Sequence, residues 1–225
     1  MGNMGQYEQL RSISQNFARA LWNNTDNCET SWIVEKKERV VAFLVEFLKH
    51  PRTIGAVAPS GKSLSLKMME PIDFSSANVI VEYGPGPGSF TKELVERRQE
   101  GTTLILIDQN KNFCEQLEEK FGEEKNVYVI HGSAEDVNRY LNEYGFDHAD
   151  FIISGLPFTS LPKSESSNIL EATKIALGEK GQFSTFQYSL VKKSFFEEHF
   201  EITDILHEKK NLPPAHILVM RNKRD

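Results

Sequence analysis

The stretch from Asn78 to Ser89, Asn-Val-Ile-Val-Glu-Tyr-Gly-Pro-Gly-Pro-Gly-Ser, leaves this chain few ways to fold. Val79, Ile80 and Val81 form a short apolar β-branched run of the kind buried on both faces of a parallel sheet. Gly84, Gly86 and Gly88 follow at alternate positions, where the missing side chains let the backbone turn tightly and approach a ligand. A helical pattern then runs from Phe90 to Arg98, and the free N–H groups at its start would face whatever lies over the glycines. Strand, glycine loop and helix in that order make a nucleotide-type cofactor loop.

Two acids sharpen that expectation. Glu82 stands two residues before the first glycine, and the next apolar run, Thr103 to Ile107, ends in Asp108, where a doubly wound fold places its ribose-binding carboxylate. The alternative is a plain strand-to-helix turn with a solvated acid. Taken together, the glycines, Glu82 and Asp108 resemble the first motif and the ribose acid of the S-adenosylmethionine-dependent methyltransferases.

Beyond the loop, strand and helix patterns alternate without interruption. Strands are expected at Val79 to Tyr83, Thr103 to Asp108, Val127 to His131, Asp150 to Ser154, Gly181 to Tyr188, Glu201 to Leu206 and His216 to Arg221. Helices are expected at Ser89 to Arg98, Lys111 to Phe121, Ala134 to Tyr144, Ser164 to Leu177 and Leu190 to Glu198. Such alternation predicts an α/β fold with a doubly wound, Rossmann-like parallel sheet and right-handed crossovers. The short link at Phe200 and the break at Asn211-Leu212-Pro213-Pro214 predict an antiparallel hairpin for the last two strands. We expect residues 71–225 to form the methyltransferase domain and residues 1–70 a helical extension and lid over the cofactor and substrate site.

Within that extension, Leu10, Ile13, Phe17 and Leu21 have helical spacing. From Trp32 to Lys49 a firmer amphipathic helix sets Val34, Val41, Leu44, Val45 and Leu48 against Glu35, Lys36, Glu38 and Arg39. It either packs on the domain or touches a lipid surface. Ala56 to Ser63 fits a relaxed phosphate-loop pattern, but a phosphate loop follows a buried strand, and this segment follows a helix and carries Pro59. Ser60 is expected instead to cap a helix running to Met69 and lying over the cofactor mouth.

Charge narrows the partners. With 32 acidic against 26 basic residues the net charge is −6, so no global basic field favours nucleic acid. Two cysteines and six histidines show no metal-ligand spacing, and the thiols fit a reducing cytoplasm. No signal-peptide core opens the chain, and no apolar run reaches the roughly 18 residues of a membrane span. A cytoplasmic protein, peripheral at most on the inner face of the cell membrane, is expected.

In a doubly wound sheet, ligands bind outside the carboxyl ends of the strands, so residues there should converge. Glu82, Tyr83, Gly84 and Gly86 would hold the amino-acid end of the cofactor, Asp108 and Gln109 its ribose, and Ser133 and Ala134 its adenine. The fourth strand ends Ser154-Gly155-Leu156-Pro157-Phe158, with Ser154 beside the cofactor and carbonyls at Ser154 to Leu156 offered to a nucleophilic amine.

At this point the chain resembles the bacterial phospholipid N-methyltransferases, which are related to the rRNA adenine dimethylases. The likeness runs from about Trp32 to the C-terminus. It is carried by Val57-Ala58-Pro59-Ser60-Gly61, the glycine loop, Ser154-Gly155-Leu156-Pro157, Phe186-Gln187-Tyr188-Ser189 and Asn211-Leu212-Pro213-Pro214-Ala215. It implies a seven-stranded methyltransferase sheet with the last strand antiparallel, S-adenosyl-L-methionine as cofactor, no metal, and the amine of phosphatidylethanolamine or a related headgroup as acceptor. Ser154, Leu156 and Tyr188 would then serve catalysis, and Ser60, Pro157, Phe158 and Tyr188 would line the substrate site, with aromatic faces for a methylated cation. The chain departs from many relatives in having His131-Gly132-Ser133 where they carry an acid, so adenine would be held by a hydroxyl or a backbone N–H. An rRNA adenine or small-molecule N-methyltransferase, or a cofactor-binding regulator without turnover, remain as alternatives.

Overall fold

The computed structural model describes residues 59–211 and 214–224. The first helix, α1 (Pro59–Met69), is followed by β1 (Val79–Tyr83), α2 (Ser89–Arg97), β2 (Thr103–Asp108), α3 (Lys111–Phe121) and β3 (Val127–His131). After a 3-10 turn at Ala134–Asp136 come α4 (Val137–Glu143), β4 (Ala149–Ser154), α5 (Lys163–Ala176) and β5 (Leu177–Gln187). A second 3-10 turn, Leu190–Lys192, leads into α6 (Lys193–His199), and β6 (Glu201–Glu208) and β7 (Ala215–Arg221) end the sheet. The expected helices at Ala134 and Leu190 therefore both open as 3-10 turns, each capped by a serine, Ser133 and Ser189.

All seven strands form one sheet in the order β3-β2-β1-β4-β5-β7-β6. β1 to β5 pair in parallel, and β7 is antiparallel to both β5 and β6, so six strands point one way and β7 the other; the last two strands form the antiparallel pair that the Asn211–Pro214 break predicted. Every residue of β1 and β2 is buried, which explains why these strands read as continuous apolar runs rather than alternating ones.

The sheet separates two cores. Val79, Val81, Tyr83, Ile105, Ile152 and Phe183 pack beneath α4, α5 and α6. Ile80, Leu104, Leu106, Ile153 and Ile217 pack on the other face with Leu64, Met68 and Met69 of α1 and Leu94 of α2. Gly61-Lys62-Ser63 lies inside α1, so it cannot cradle a phosphate as a loop would. That helix begins at Pro59, a residue pre-set for the first helical position, which places the expected cap Ser60 within the first turn. The expected helices over Leu10 to Leu21 and Trp32 to Lys49 lie outside the described residues.

Candidate active site

Parallel register brings the carboxyl ends of the strands together. Tyr83 pairs with Ile107 on one side and Ser154 on the other, Asp108 pairs with His131, and Ser154 pairs with Thr185. The loops after β1, β2, β3 and β4 thus leave the sheet along one edge.

The glycine loop is fastened there by its neighbours. Gly84 donates its N–H to the Ile107 carbonyl at 2.9 Å, and Gly86 donates to Asp108 Oδ2 at 3.0 Å. Gly84, Gly86 and Gly88 all have positive φ, a conformation costly for any residue with a Cβ. A Cβ on Gly84 would stand 2.7 Å from Leu156 Cδ2, and one on Gly88 would press on Leu117 and Phe121 of α3. Among the described residues, a Cβ on Gly86 would meet nothing within 4 Å. Gly86 therefore borders open space, a cradle that a side chain would fill.

Gly88 also serves as the N-cap of α2, and no side chain caps that helix. Its first-turn N–H groups are left as donors at the positive end of the helix dipole, beside the open cradle.

Asp108 is buried and held in place by two backbone donors, Gly86 N–H on Oδ2 and Asn110 N–H on Oδ1 at 2.8 Å. Burial raises its pKa, those two hydrogen bonds oppose the rise, and His131 opposes it further. Each oxygen keeps a second lone pair, as acceptance of two ribose hydroxyls requires. After β3, Ser133 Oγ accepts from Glu135 N–H at 3.2 Å and from Gln109 Nε2 at 3.4 Å, which leaves its own O–H free to donate. Gly132 sits beneath the Tyr140 hydroxyl, so no side chain fits at that position.

Several expected site residues are placed differently. Glu82 is wholly buried and accepts from Thr91 Oγ1 of α2 at 2.7 Å. Its other oxygen is buried with no partner among the described residues, and burial raises its pKa to about 8, with Thr91 opposing and Asp108 adding to the rise. Glu82 thus anchors the loop as a neutral carboxyl. The Tyr83 ring is core, with its hydroxyl 3.2 Å from Thr173 Oγ1 of α5. Phe158 also lies wholly in the core, edge-on to Phe183 and Phe196, and offers no aromatic wall to a substrate.

The segment after β4 is a pinned turn. Ser154 is fully buried, and its Oγ accepts from Leu156 N–H at 3.1 Å. Its carbonyl accepts from Thr185 Oγ1 at 3.3 Å, the Leu156 carbonyl from Phe158 N–H, and the Pro157 carbonyl from Ser160 and Leu161 N–H. Among the described residues the Gly155 carbonyl has no donor. Gly155 itself donates to the Tyr83 carbonyl at 2.8 Å, and a Cβ there would stand 2.6 Å from the Gly84 carbonyl oxygen. The two glycine turns therefore touch backbone to backbone.

Tyr188 leaves the end of β5 half-buried, edge-on to Phe186, which in turn meets Phe90 of α2 edge-on. Burial raises the phenol pKa, and a hydrogen bond with the Asn211 side chain opposes the rise. Two stretches far apart in sequence, Phe-Gln-Tyr-Ser and Asn-Leu-Pro-Pro, are joined by that bond. Glu208 at the end of β6 accepts from Lys210 N–H at 2.6 Å and is hydrogen-bonded to Ser63 of α1. Sequence reasoning did not single out Thr91, Asn110, Thr185, Glu208 or Asn211 as site supports. Only Asn110 carried a local signal, as the N-cap of α3.

A glycine cradle open at Gly86, an uncapped helix start and a carboxylate pinned beside them fit the methionine and ribose portions of S-adenosylmethionine. Comparison with known proteins agrees. The family model "Ribosomal RNA adenine dimethylase" matches residues 62–174. Ornithine lipid N-methyltransferase of Singulisphaera acidiphila is 32% identical over 77% of this chain and 91% of its own. Ribosomal RNA small subunit methyltransferase A of Borreliella burgdorferi is 32% identical over 49% of this chain, and the match spans only 37% of that enzyme. The crystal structure of N-methyltransferase NodS from Bradyrhizobium japonicum with S-adenosyl-L-homocysteine shares the fold, with TM-score 0.58 and 11% identity over 94% of this chain and 99% of that one. The chain belongs to the ribosomal RNA adenine dimethylase family and is an S-adenosylmethionine-dependent N-methyltransferase of Rossmann-like fold.

Proposed function

We propose that this enzyme methylates the amine of an amino-lipid headgroup, phosphatidylethanolamine or a related zwitterion, at a membrane surface. The observation that carries this reading is the extent of the match to the ornithine lipid enzyme, 91% of its length, against 37% for the rRNA enzyme at the same identity. A net charge of −6 also disfavours an extended phosphate backbone as acceptor.

When bound, the cofactor supplies a sulfonium methyl for in-line transfer to a neutral amine. Glu82, Gly84, Gly86 and Asp108 form and hold the cradle, and Leu156 closes over Gly84. Gly155, rather than Ser154 or Leu156, has the carbonyl available to accept an amine N–H and aim its lone pair. Tyr188 keeps its proton at neutral pH, so it contributes a hydroxyl and a ring face and does not act as base. In this reading the amine's ammonium proton is lost to water before transfer.

Purified protein with methyl-labelled cofactor should label phosphatidylethanolamine or ornithine-lipid vesicles and leave 16S rRNA unlabelled. Labelling of RNA alone would move the acceptor to adenine, the second reading that the family match keeps open.

A further inference from the structure

The loops that follow β2 and β3 are clasped to each other by a short run of polar groups. Asp108 and His131 stand abreast in the parallel register, and Gly132 donates its N–H to the Asp108 carbonyl at 3.0 Å. From the end of β3, His131 Nε2 lies 3.1 Å from the Gln109 carbonyl oxygen in the loop after β2. A carbonyl only accepts, so this ring nitrogen carries the hydrogen. The Gln109 side chain crosses back to the loop after β3 and donates Nε2 to Ser133 Oγ at 3.4 Å.

Gln109 is exposed to solvent, so these two bonds, rather than packing, set its direction. Ser133 Oγ also accepts from Glu135 N–H at 3.2 Å, as the cap of the 3-10 turn. Two accepted hydrogen bonds occupy both lone pairs of a hydroxyl oxygen and leave the group a donor only. Its hydrogen has no acceptor among the described residues. This donor is tied through Gln109 to the loop that begins at Asp108, the carboxylate whose free lone pairs suit a ribose. The base attached to that ribose offers ring nitrogens that accept and an exocyclic amine that donates. A hydroxyl that can only donate matches the first and repels the second.

We infer that His131 and Gln109 hold Ser133 as a hydroxyl donor to a ring nitrogen of the cofactor's adenine. At this residue the base is read by a lone pair and not by its amino group. His131 acts through Gln109 and is a positioning residue. The inference concerns the cofactor end of the site and does not depend on which acceptor is methylated.

The test is calorimetry on the full chain with S-adenosylhomocysteine and its 1-deaza, 3-deaza and 7-deaza analogues, each of which replaces one ring nitrogen by C–H. Ser133→Ala should bind S-adenosylhomocysteine about fivefold more weakly, the loss of one hydrogen bond. One analogue should bind wild type more weakly by a similar factor and lose nothing more on Ser133→Ala, because the bond is already gone, while the other two should lose as the parent does. His131→Leu should weaken the parent about threefold and leave that same analogue unaffected, and His131→Gln, which keeps an N–H at similar reach, should restore most of the affinity. A loss at Ser133→Ala shared equally by all three analogues would overturn the assignment of the hydroxyl to a ring nitrogen. So would S-adenosylhomocysteine affinity unchanged in Ser133→Ala while Asp108→Ala loses it, a result that keeps the ribose site and removes the base contact. Full affinity in His131→Leu would overturn the positioning role.

Discussion

Asp108 reaches from the end of β2 to the backbone of Gly86, 22 positions earlier, and accepts its N–H at 3.0 Å. One carboxylate thus fixes the crest of the glycine loop and offers its remaining lone pairs to a ribose. The residue that shapes the cradle would, in the proposed site, also contact what the cradle holds.

Replacing Asp108 therefore removes two functions at once. Asp108→Ala should weaken S-adenosylhomocysteine binding by roughly 10- to 100-fold, the range expected from losing hydrogen bonds to a charged acceptor. Asp108→Asn, which keeps one carbonyl oxygen, should lose less. Calorimetry checks both, with circular dichroism to establish that the sheet persists. Affinity unchanged in the Ala variant would place the ribose elsewhere.

Glu82 gives a prediction with a defined sign. Its pKa is raised from 4.5 in the unfolded chain to about 8 in the fold, so between those values the folded state holds a proton that the unfolded state has released. Stability should therefore be greatest below pH 4.5 as far as this group is concerned, fall as pH rises from 4.5 to 8, and level off above. Glu82→Gln replaces the neutral carboxyl with a neutral amide and should flatten that slope. Melting temperatures of both proteins between pH 5 and 9 provide the measurement. Parallel curves would mean that Glu82 is already ionised in the fold.

How far the sequence disclosed the site follows from which interactions are local. The β1 run, the glycines and Asp108 are written into short windows, since a buried parallel strand and a tight turn each require particular residues in a row. The register that brings Tyr83, Ile107 and Ser154 abreast was implied by the same alternation. Side-chain direction was not. Glu82 and Tyr83 are consecutive in a strand, so their side chains take opposite faces of the sheet, one bonded to Thr91 and the other to Thr173. Phe158 has no such rule, and its burial beside Phe183 and Phe196 depends on where α6 lands. The Tyr188–Asn211 bond joins two loops through the β6–β7 hairpin, and no local pattern foretells it.

Glycine replacements separate cradle from scaffold. Gly86→Ala introduces a Cβ that strikes none of the described residues but projects into the cradle, and it carries the strain of φ +55. That strain costs about 1–2 kcal/mol. Gly155→Ala drives a Cβ to 2.6 Å from a backbone oxygen of Gly84, which no rotamer change relieves. The first should lose cofactor affinity with a small fall in melting temperature, and the second should lose both. Equal loss of melting temperature in the two variants would mean that Gly86 is packed rather than open.

Tyr188 provides the sharpest separation of binding from turnover. Tyr188→Phe keeps the ring against Phe186 and removes only the hydroxyl shared with Asn211, so S-adenosylhomocysteine affinity should be unchanged. Losing one hydrogen bond of about 1 kcal/mol should lower kcat on an amino lipid a fewfold. Asn211→Ala should match it, because the same bond is broken from its other end, and the double variant should be no worse than either single one. Because the phenol pKa is raised above its usual value, the wild-type pH–rate profile should show no tyrosine ionisation below pH 10. Additive losses in the double variant, or a phenol titrating near neutrality, would remove Tyr188 from the place proposed for it beside the acceptor and return it to ordinary packing.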